Sequence, residues 1–337
     1  MPVTIKDVAR EAGVSISTVS KILNNVPGIS EATTKRVEEI MAKLDYAPNS
    51  RAASLARKSA RCIAFIAKLD EYEPYTNPHL FDIMCGVQEA LYSKGYGFML
   101  LDSLRADVER MMLSHTFDGV IVHGGALTKQ IHQLLLNRKF PHIVIGHPND
   151  TRINWVDTDN ALGGRIAFEY LMQCGCVNVA FLGALETDDI SNERLSGFLA
   201  ASSEHGCDGN AGWIIHTDGS LRSGREAAAA LLSARDRPQA VVCSSNLLAY
   251  AFSMAAAELA VRIPEDVQLI TFDLYPYSSL ITPEPTLVQI DVRDMGRAAA
   301  KQLLQELKRP DLRVQSFTTL PSLIVGKSTR EISATSS

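Results

Sequence analysis

The sequence lacks the long apolar runs of a membrane protein. No continuous apolar run approaches the roughly 18 residues that a membrane-spanning helix needs. Its N-terminal residues, MPVTIKD, do not pair a basic segment with an apolar one, which is the pattern of a secretory signal. We therefore expect a protein of the cytoplasm that has no membrane partner.

Cysteine is also scarce, and the six cysteines are spread along the chain. Only Cys174 and Cys176 are near neighbours, and a single C-x-C without a second Cys or His cluster does not make a metal ligand set. The chain has no G-x-x-x-x-G-K-[ST], no H-E-x-x-H, no G-x-S-x-G and no G-x-G-x-x-G after a strand-like run. We expect reduced cysteines, no metal, no cofactor, no catalytic residues and no enzymatic activity.

Positive charge is concentrated near the N-terminus. The net charge of −5, taken alone, argues against a nucleic-acid-binding protein. Residues 1–60, however, hold nine Lys or Arg and six Asp or Glu, whereas the remaining residues hold 24 and 32. A mildly basic head on an acidic body is compatible with a head that contacts phosphate groups.

The first 44 residues have the pattern of three short helices. Thr4, Ser15 and Ser30 each precede apolar residues at helical spacing, and each is predicted to cap the helix that follows it. Gly13 ends the first helix, and residues 24–28, Asn-Asn-Val-Pro-Gly, form a turn before the third.

The first two helices and the short turn between them form a helix-turn-helix, whose second helix is shaped for the major groove of DNA. The exposed side of that helix carries mostly hydroxyl groups, which bind phosphates, together with protruding side chains that can reach base edges. The alternative is a small helical bundle in which Ser and Thr serve only as caps. The predicted DNA contacts on this helix are Ser15, Ile16, Ser17, Thr18, Ser20 and Lys21.

The segment 4–24, TIKDVAREAGVSISTVSKILN, closely resembles the headpiece of the lactose/galactose-repressor (LacI/GalR) family of bacterial transcriptional regulators. The segment 46–56, YAPNSRAASLA, resembles the hinge helix of that family, and the resemblance extends over nearly the whole chain. It implies a homodimer that binds pseudo-palindromic double-stranded operator DNA. It also implies DNA contacts from Thr4, Asn24, Ser30, Thr33, Tyr46, Asn49, Ala53, Leu55 and Ala56.

Leu55 lies at the position of the family's intercalating leucine. An apolar wedge of this kind unstacks a base step in the minor groove and kinks the duplex. Residues 49–60 are basic and have too few apolar residues to fold alone, so we expect them to become ordered on DNA. A flexible basic linker is the alternative when DNA is absent. Lys21 stands where the family commonly has Arg, and we expect softer base discrimination there because lysine is a point donor.

From Arg61 onward, short apolar runs alternate with amphipathic helical stretches. The runs at 62–69, 119–123, 179–183 and 240–243 are typical of buried parallel strands in a doubly wound α/β sheet, whose ligands bind beyond the carboxyl ends of the strands. Polar residues at these ends suit a polyol, although Asp at a strand end also serves simply to cap the next helix. They are Asp70, Asp102, His147, Asp157, Ser244, Ser245, Asn246 and Asp273.

The family resemblance implies that this part is a two-lobed sensor similar to periplasmic sugar-binding proteins, with three crossovers and a ligand in the cleft between the lobes. Four positions depart from the family. His79 replaces a frequent Phe, Ser245-Asn246 replaces Asn-Asp, Leu274 replaces a second Asp, and Gly219 stands where some members have an aromatic residue. These departures indicate a ligand other than a simple galactoside. The implied effector contacts are His79, His147, Arg194, Ser245, Asn246 and Asp273.

We predict a helix-turn-helix domain over residues 1–46, a hinge over 47–60 and an effector-binding domain over 61–330. The first lobe takes about 61–160 and 288–320, and the second takes about 161–287 and 321–330. The polar tail, 331–337, has no heptads and therefore predicts no coiled-coil tetramer.

The sequence therefore predicts an α/β fold, a two-lobed periplasmic-binding-protein-like sensor with doubly wound parallel sheets, preceded by an all-α helix-turn-helix headpiece. The predicted function is that of a nucleoid-associated repressor whose affinity for its operator is controlled by a small carbohydrate effector. One alternative keeps the regulator but gives it a purine or another corepressor. A periplasmic solute-binding protein and an enzyme are disfavoured, the former because the chain has a helix-turn-helix head and no secretory signal.

Overall fold

The computed structural model describes residues 3–23, 26–46, 59–69, 78–148, 150–274, 277–311 and 316–332. The chain divides into two compact units, residues 1–62 with 111–118 and residues 63–110 with 119–337. Each unit has its own apolar core. In the part of the chain that the structure describes, no helix is long and apolar enough to cross a membrane.

Three helices form the N-terminal unit's helical core: α1 (Ile5–Ala12), α2 (Ile16–Leu23) and α3 (Glu31–Lys43). The Thr4 backbone N–H donates to Asp7 Oδ2 over 3.0 Å at the start of α1, and Gly13 ends that helix with a φ of 63°. Val8, Val19 and Val37, one from each helix, are fully buried in one apolar cluster. The predicted all-α headpiece is confirmed.

The elements that follow the headpiece alternate along the chain, starting from a strand at the boundary between the units. They include one short helix whose last residues, 111–113, belong to the first unit. In chain order they are β1 (Cys62–Ala67), α4 (Pro78–Tyr92), β2 (Gly97–Asp102), α5 (Val108–Leu113), β3 (Gly119–His123), α6 (Lys129–Arg138), β4 (His142–Ile145), β5 (Trp155–Thr158), α7 (Asn160–Gln173), β6 (Val179–Gly183), α8 (Asp189–Glu204), β7 (Ile214–His216), α9 (Leu221–Ser233), β8 (Ala240–Cys243), α10 (Asn246–Glu258), β9 (Gln268–Phe272), β10 (Thr286–Gln289), α11 (Val292–Lys308), β11 (Phe317–Thr319) and β12 (Ser322–Ile324).

These strands form two six-stranded sheets. The first has the order β11-β5-β4-β3-β1-β2, and the second has the order β12-β10-β9-β8-β6-β7. The pairings along β1-β3-β4-β5-β11 and along β7-β6-β8-β9-β10 are parallel, whereas β12 pairs antiparallel with β10. Strands β6, β8 and β9 are buried at every residue, as parallel strands covered on both faces must be. The predicted two-lobed, doubly wound architecture is confirmed.

The chain passes between the sheets three times, after β5, after β10 and after β11. Strand β10 extends to Gln289, so Val288 and Gln289 belong to the second sheet, although the predicted lobe limit placed them in the first. The reason is that Val288 continues the parallel ladder to Phe272 and the antiparallel ladder to Leu323.

Glycine permits a close helix pair in each lobe. A Cβ atom on Gly164 of α7 would lie 1.8 Å from the Arg194 carbonyl oxygen, and one on Gly197 of α8 would lie 1.7 Å from the Ala161 carbonyl oxygen. The same reciprocal contact joins α4 and α11 through Gly86 and Gly296. Because the backbones of α7 and α8 touch, they fix the position of Arg194 relative to the second sheet.

Candidate functional site

The N-terminus of α2 presents a cluster of hydroxyl groups. Ser15 Oγ lies 2.7 Å from Ser17 Oγ and 2.8 Å from Thr18 Oγ1, and it accepts a hydrogen bond from the Thr18 backbone N–H at 3.1 Å. Ser15 therefore caps the helix, as the alternative interpretation of these residues expected. Ser17 and Lys21 are exposed, and Ile16 keeps 45% of its surface exposed. The same face thus offers donors for phosphates and protruding side chains for base edges.

The second unit holds a cleft of about 560 Å³, a size typical of small-ligand sites. Residues of both lobes line it at the carboxyl ends of their strands. The first lobe contributes His79, His123 and Asp157, and polar side chains of the second lobe face them across the cleft. Its second-lobe polar lining is Asn160, Thr187, Asp188, Ser191, Arg194, Asp218, Ser244, Ser245, Asn246, Asp273 and Tyr277.

Arg194 is a buried charged residue of the cleft lining, with only 6% of its surface exposed. Its Nε donates to Asn160 Oδ1 at 3.2 Å, and its Nη1 donates to the Ser244 carbonyl oxygen at 2.6 Å. Its guanidinium carbon lies over the Phe272 ring, 3.9 Å from the ring centre, so the cation contacts the face of the ring. Two of the three guanidinium nitrogens are thereby fixed, and Nη2 is held in one orientation.

Asp273 faces that third nitrogen. Its Oδ2 lies 3.8 Å from Arg194 Nη2 and 3.7 Å from His79 Nε2, both beyond hydrogen-bond length. Its Oδ1 accepts from the Ile290 backbone N–H at 3.3 Å. The residue adopts a φ of 63°, which is uncommon for a non-glycine residue and is found often at functional sites. One acceptor and two potential donors therefore converge on one part of the cleft.

Burial shapes the electrostatics of the cleft. It lowers the pKa of Arg194, while the nearby carboxylates of Asp273, Asp188, Glu193 and Asp157 oppose that shift. Burial also raises the pKa of Asp157 to about 6, against a hydrogen bond from the Thr158 backbone N–H that favours the ionised form. In the lining of the first lobe, burial lowers the pKa of His123. The cleft is thus a partly dehydrated site in which charged and polar contacts are strengthened.

Known protein families match both the headpiece and the sensor part of this chain. Residues 4–49 match the family model for bacterial regulatory proteins of the lacI family, and residues 168–329 match the model for a periplasmic binding protein-like domain. An HTH-type transcriptional repressor PurR from Photobacterium profundum is 29% identical over 336 residues, which cover 98% of this chain and 99% of that protein. The chain thus joins a lacI-family helix-turn-helix domain to a periplasmic binding protein-like domain, and its relatives are lacI-family regulators. It is accordingly a DNA-binding transcriptional repressor, and the family consists of regulators rather than enzymes.

Solved structures of regulators share the fold of this repressor. A lac repressor dimer bound to operator and the anti-inducer ONPF matches it with a TM-score of 0.80 and 23% identity, covering 97% of this chain and 99% of that one. The transcriptional regulator CelR in complex with cellobiose matches it with a TM-score of 0.71 and 24% identity, again over 97% and 99% of the two chains.

The structure brings most of the predicted effector residues of the repressor together. His79, Arg194, Ser245, Asn246 and Asp273 all line the cleft. Ser245 also caps α10, because its Oγ accepts from the Leu248 backbone N–H at 3.3 Å. His147 does not line the cleft, since its ring packs on Trp155 with the centroids 4.2 Å apart.

The predicted DNA contacts divide into two groups. Thr4, Tyr46 and the predicted contacts on α2 lie in the headpiece, as do Ser30 and Thr33 at the start of α3, where the Thr33 backbone N–H donates to Ser30 Oγ at 3.3 Å. The others lie outside the described residues: Asn24, Asn49, Ala53, Leu55 and Ala56.

Sequence reasoning missed several cleft residues of the repressor. Asn160, Ser191 and Tyr277 line it although none of them ends a strand. Asn160 lies in the first turn of α7, where the sequence shows only a helix start. Tyr277 lies in a loop, where it stacks on Tyr250 with the ring centroids 5.9 Å apart, and no sequence pattern marks it as a cleft residue. Among the described residues, no group of three His, Cys, Asp or Glu side chains could hold a metal ion.

Proposed function

We propose that this repressor binds a carbohydrate in the interlobe cleft and that the carbohydrate controls its affinity for the operator. The observation that carries the proposal is the arrangement of Arg194 and Asp273. A sugar hydroxyl both donates and accepts, so it can donate to Asp273 Oδ2 while it accepts from Arg194 Nη2. His79 Nε2 on the opposite lobe can join the same hydroxyl and so couple binding to lobe closure.

The rest of the lining supports a polyol. Apolar side chains such as Ile145, Ile290 and Met295 provide a surface for the C–H face of a sugar ring. Amide and hydroxyl groups, including those of Asn246 and Ser245, supply further partners for the remaining hydroxyls. CelR, which is similar in fold, was solved with cellobiose.

A purine corepressor is the second candidate, because several similar repressors carry the name PurR, which denotes a purine repressor. A flat purine ring gains most from aromatic faces on both sides. Tyr277 is the one Phe, Tyr or Trp that lines the cleft among the described residues, and Gly219 and His79 stand where other members have aromatic residues. The lining therefore favours a polyol over a purine.

For operator binding we propose a homodimer in which α2 of each headpiece enters the major groove. The segment 47–60 serves as the hinge between the headpiece, 1–46, and the sensor, 61–330. Its Leu55 inserts into the minor groove at the operator centre. Two such heads would read half-sites about one helical turn apart, in keeping with pseudo-palindromic DNA.

The proposed regulation is a shift between two populations. Effector binding favours the closed cleft, closure rotates the first lobes across the dimer interface, and the hinge segments separate and lose helix. The effector can shift this equilibrium only by its difference in affinity for the two states. The same scheme with the opposite preference would describe a corepressor.

The test is binding of the full-length protein to a library of fluorescent pseudo-palindromic duplexes at fixed salt, with and without carbohydrate or purine panels. We expect one palindrome to bind tightly and carbohydrates to release it. Arg194→Lys serves as the matched variant that should bind the same duplex and fail to respond. Release or tightening by purines alone would contradict the carbohydrate proposal. Sequence-independent binding that only salt weakens would contradict operator recognition.

A further inference from the structure

The cleft has an excess of acidic side chains. Four aspartates line it, Asp157, Asp188, Asp218 and Asp273, and Arg194 is the one Lys or Arg in its described lining. The stretches 70–77 and 275–276, which lie outside the described residues, contain neither lysine nor arginine. Glu193 adds a further carboxylate within electrostatic range of Arg194. A ligand in this cleft therefore meets a negative potential.

Three of the four aspartates already have partners. Asp188 accepts from the Ser191 backbone N–H at 2.7 Å as the cap of α8. Asp218 accepts from the Ser220 backbone N–H at 2.8 Å and from the Ser223 hydroxyl. Asp273 faces Arg194, as described above. These three carboxylates are matched by N–H groups, a hydroxyl or a guanidinium.

Asp157 differs from Asp188 and Asp218 in being partly buried, whereas those two side chains are exposed to water. It lies in β5 of the first lobe, and its Oδ1 accepts one hydrogen bond, from the Thr158 backbone N–H at 2.8 Å. The charged or titratable groups that act on it are Glu193 and Arg194 from α8 and His147 from the segment after β4. Among the described residues Arg194 is the one Lys or Arg that acts on Asp157, and it is shared among four carboxylates.

A second polar group of the cleft lining is a buried hydroxyl. Ser244 is 3% exposed, and its buried Oγ makes no hydrogen bond within the described structure. A buried hydroxyl without a partner is costly, and so is a dehydrated carboxylate without a counterion. A ligand that supplies a donor to the Asp157 carboxylate, which lines the cleft, would relieve that part of the cost on binding.

We propose that the effector is an amino sugar, or another amino-polyol, whose ammonium group binds the carboxylate of Asp157. This inference rests on the proposed carbohydrate function. The sugar hydroxyls engage Arg194 and Asp273, and the ammonium, with three donors, binds the partly buried carboxylate on the facing lobe. One ligand thereby bridges the two lobes.

The same charge arrangement disfavours anionic ligands. A phosphate group would add negative charge to a cleft that already holds four aspartates and a single arginine in its described lining. Like-charge juxtaposition of this kind is an effective way to reject a wrong ligand. We therefore place sugar phosphates at the bottom of the affinity order.

Binding of an ammonium group should be linked to protons. Burial raises the pKa of Asp157 to about 6, so the free carboxyl is partly protonated in mildly acidic solution. A bound ammonium lowers that pKa and releases the proton. Affinity for the amino sugar should therefore rise as the pH rises through about 6. It should fall again above about 8, where an amine of this kind loses its proton.

The test is isothermal titration of the full-length protein with matched probes: glucose, glucosamine, N-acetylglucosamine and glucose 6-phosphate, and the same four derivatives of galactose. N-acetylation keeps the nitrogen and removes the charge. We expect the amino sugar of at least one series to bind about tenfold more tightly than its neutral and N-acetyl forms at pH 7.5. Asp157→Asn should abolish that preference, whereas Asp266→Asn, which changes a surface carboxylate paired with Arg262, should preserve it.

The outcomes separate the two proposals. If neutral sugars or sugar phosphates bind as tightly as the amino sugars, the amine inference is wrong and the carbohydrate function stands. An amino-sugar preference that persists in Asp157→Asn also overturns the assignment to Asp157. If no probe binds at millimolar concentration while an operator duplex still binds, both the carbohydrate function and the amine inference fail.

Discussion

His79 and Asp273 face each other across the cleft, with Nε2 of the histidine 3.7 Å from Oδ2 of the aspartate. His79 lies in the first turn of α4 in the first lobe, whereas Asp273 follows β9 in the second. The pair therefore connects the two lobes at the point where a ligand would bind. Arg194 of the second lobe lies near the same oxygen, so the Asp273 carboxylate faces one side chain from each lobe.

We expect His79→Ala to weaken carbohydrate binding several-fold, because it removes one hydrogen-bonding group of about 0.5–1.5 kcal/mol from the first lobe. Operator affinity without effector should stay unchanged. The measurement is titration calorimetry with the carbohydrate that releases the operator. His115→Asn, at an exposed turn position, is the matched control and should bind that carbohydrate normally. Equal affinities of the two variants would contradict a role for His79.

Two substitutions of Arg194 should distinguish its contribution to carbohydrate affinity from its contribution to the stability of the fold. Lysine keeps the charge, but it cannot bond Asn160 Oδ1 and the Ser244 carbonyl oxygen while presenting a third nitrogen to Asp273. We expect Arg194→Lys to fold and to lose at least about tenfold in carbohydrate affinity. Arg194→Ala should also lower the free energy of unfolding by about 3–5 kcal/mol, since it leaves buried carboxylates uncompensated.

Thermal unfolding and calorimetry check this prediction. Arg222→Lys is the control, because Arg222 is exposed and pairs with Glu226 one turn away. An Arg194→Lys protein that binds carbohydrate like the parent would show that the fixed guanidinium geometry is not required.

The headpiece was the most predictable part of the molecule, because its signals are local. Ser30 caps α3 and Gly13 ends α1 through contacts within a few residues, and such contacts are readable from sequence. The buried parallel strands were also predictable, since burial on both faces demands continuous apolar runs such as that of β8.

The cleft was less predictable because it depends on contacts between distant segments. A polar residue at a strand end can cap a helix, line the cleft or do both, as Ser245 does. His147 occupies a strand end too, but its ring is held by Trp155, a residue of the next strand. Asn160 is a cleft residue because Arg194, far along the chain, donates to it. No local pattern distinguishes these cases.

The prediction for the hinge concerns Leu55, which lies outside the described residues and is proposed to insert into the minor groove. Leu55→Gly removes the proposed minor-groove wedge, and we expect it to weaken operator binding by about tenfold or more while carbohydrate affinity stays nearly intact. Fluorescence anisotropy with the selected palindrome measures the first quantity and calorimetry the second. Leu55→Ala should give a similar loss, because it removes the wedge while keeping helix propensity. Unchanged operator affinity in both variants would refute the wedge.

Asp118 binds the last two residues of the proposed hinge, 47–60, and the residue that follows it. Its carboxylate accepts from the Ser59 hydroxyl at 2.6 Å, the Ala60 N–H at 2.7 Å and the Arg61 N–H at 2.9 Å. Hydrogen bonds to a charged group contribute about 1.5–3 kcal/mol each. We expect Asp118→Ala to release these residues and to weaken operator binding without changing carbohydrate affinity.

Amide hydrogen exchange at Ala60 and Arg61 gives a direct measure of that release. Asp118→Asn keeps one acceptor oxygen and should fall between Asp118→Ala and the parent. If exchange at these amides accelerates while operator affinity is unchanged, then the fastening of residues 59–61 has no part in DNA binding.

Glu306 on α11 makes stability depend on pH. Burial raises its pKa to about 7, although hydrogen bonds from the His142 backbone and the Asn154 side chain favour the ionised form. Its folded pKa lies above the ordinary value of 4.5, so the protonated group stabilises the fold at low pH. That contribution is lost as the pH rises from about 4.5 through about 7.

We therefore expect Glu306→Gln to unfold at a higher temperature than the parent at pH 8, by an amount that corresponds to roughly 1–2 kcal/mol once solvent screening is allowed for. The difference should shrink towards pH 5, where the parent's carboxyl is protonated. Asp157 titrates in the same direction with a pKa of about 6, so the parent retains part of its pH dependence in the Gln variant. Glu258→Gln, at an exposed ion pair with Arg225, should leave the pH profile unchanged. Parallel profiles for the parent and Glu306→Gln would mean that ionised Glu306 is accommodated without cost, and the pH dependence would then have to come from Asp157 or another buried group.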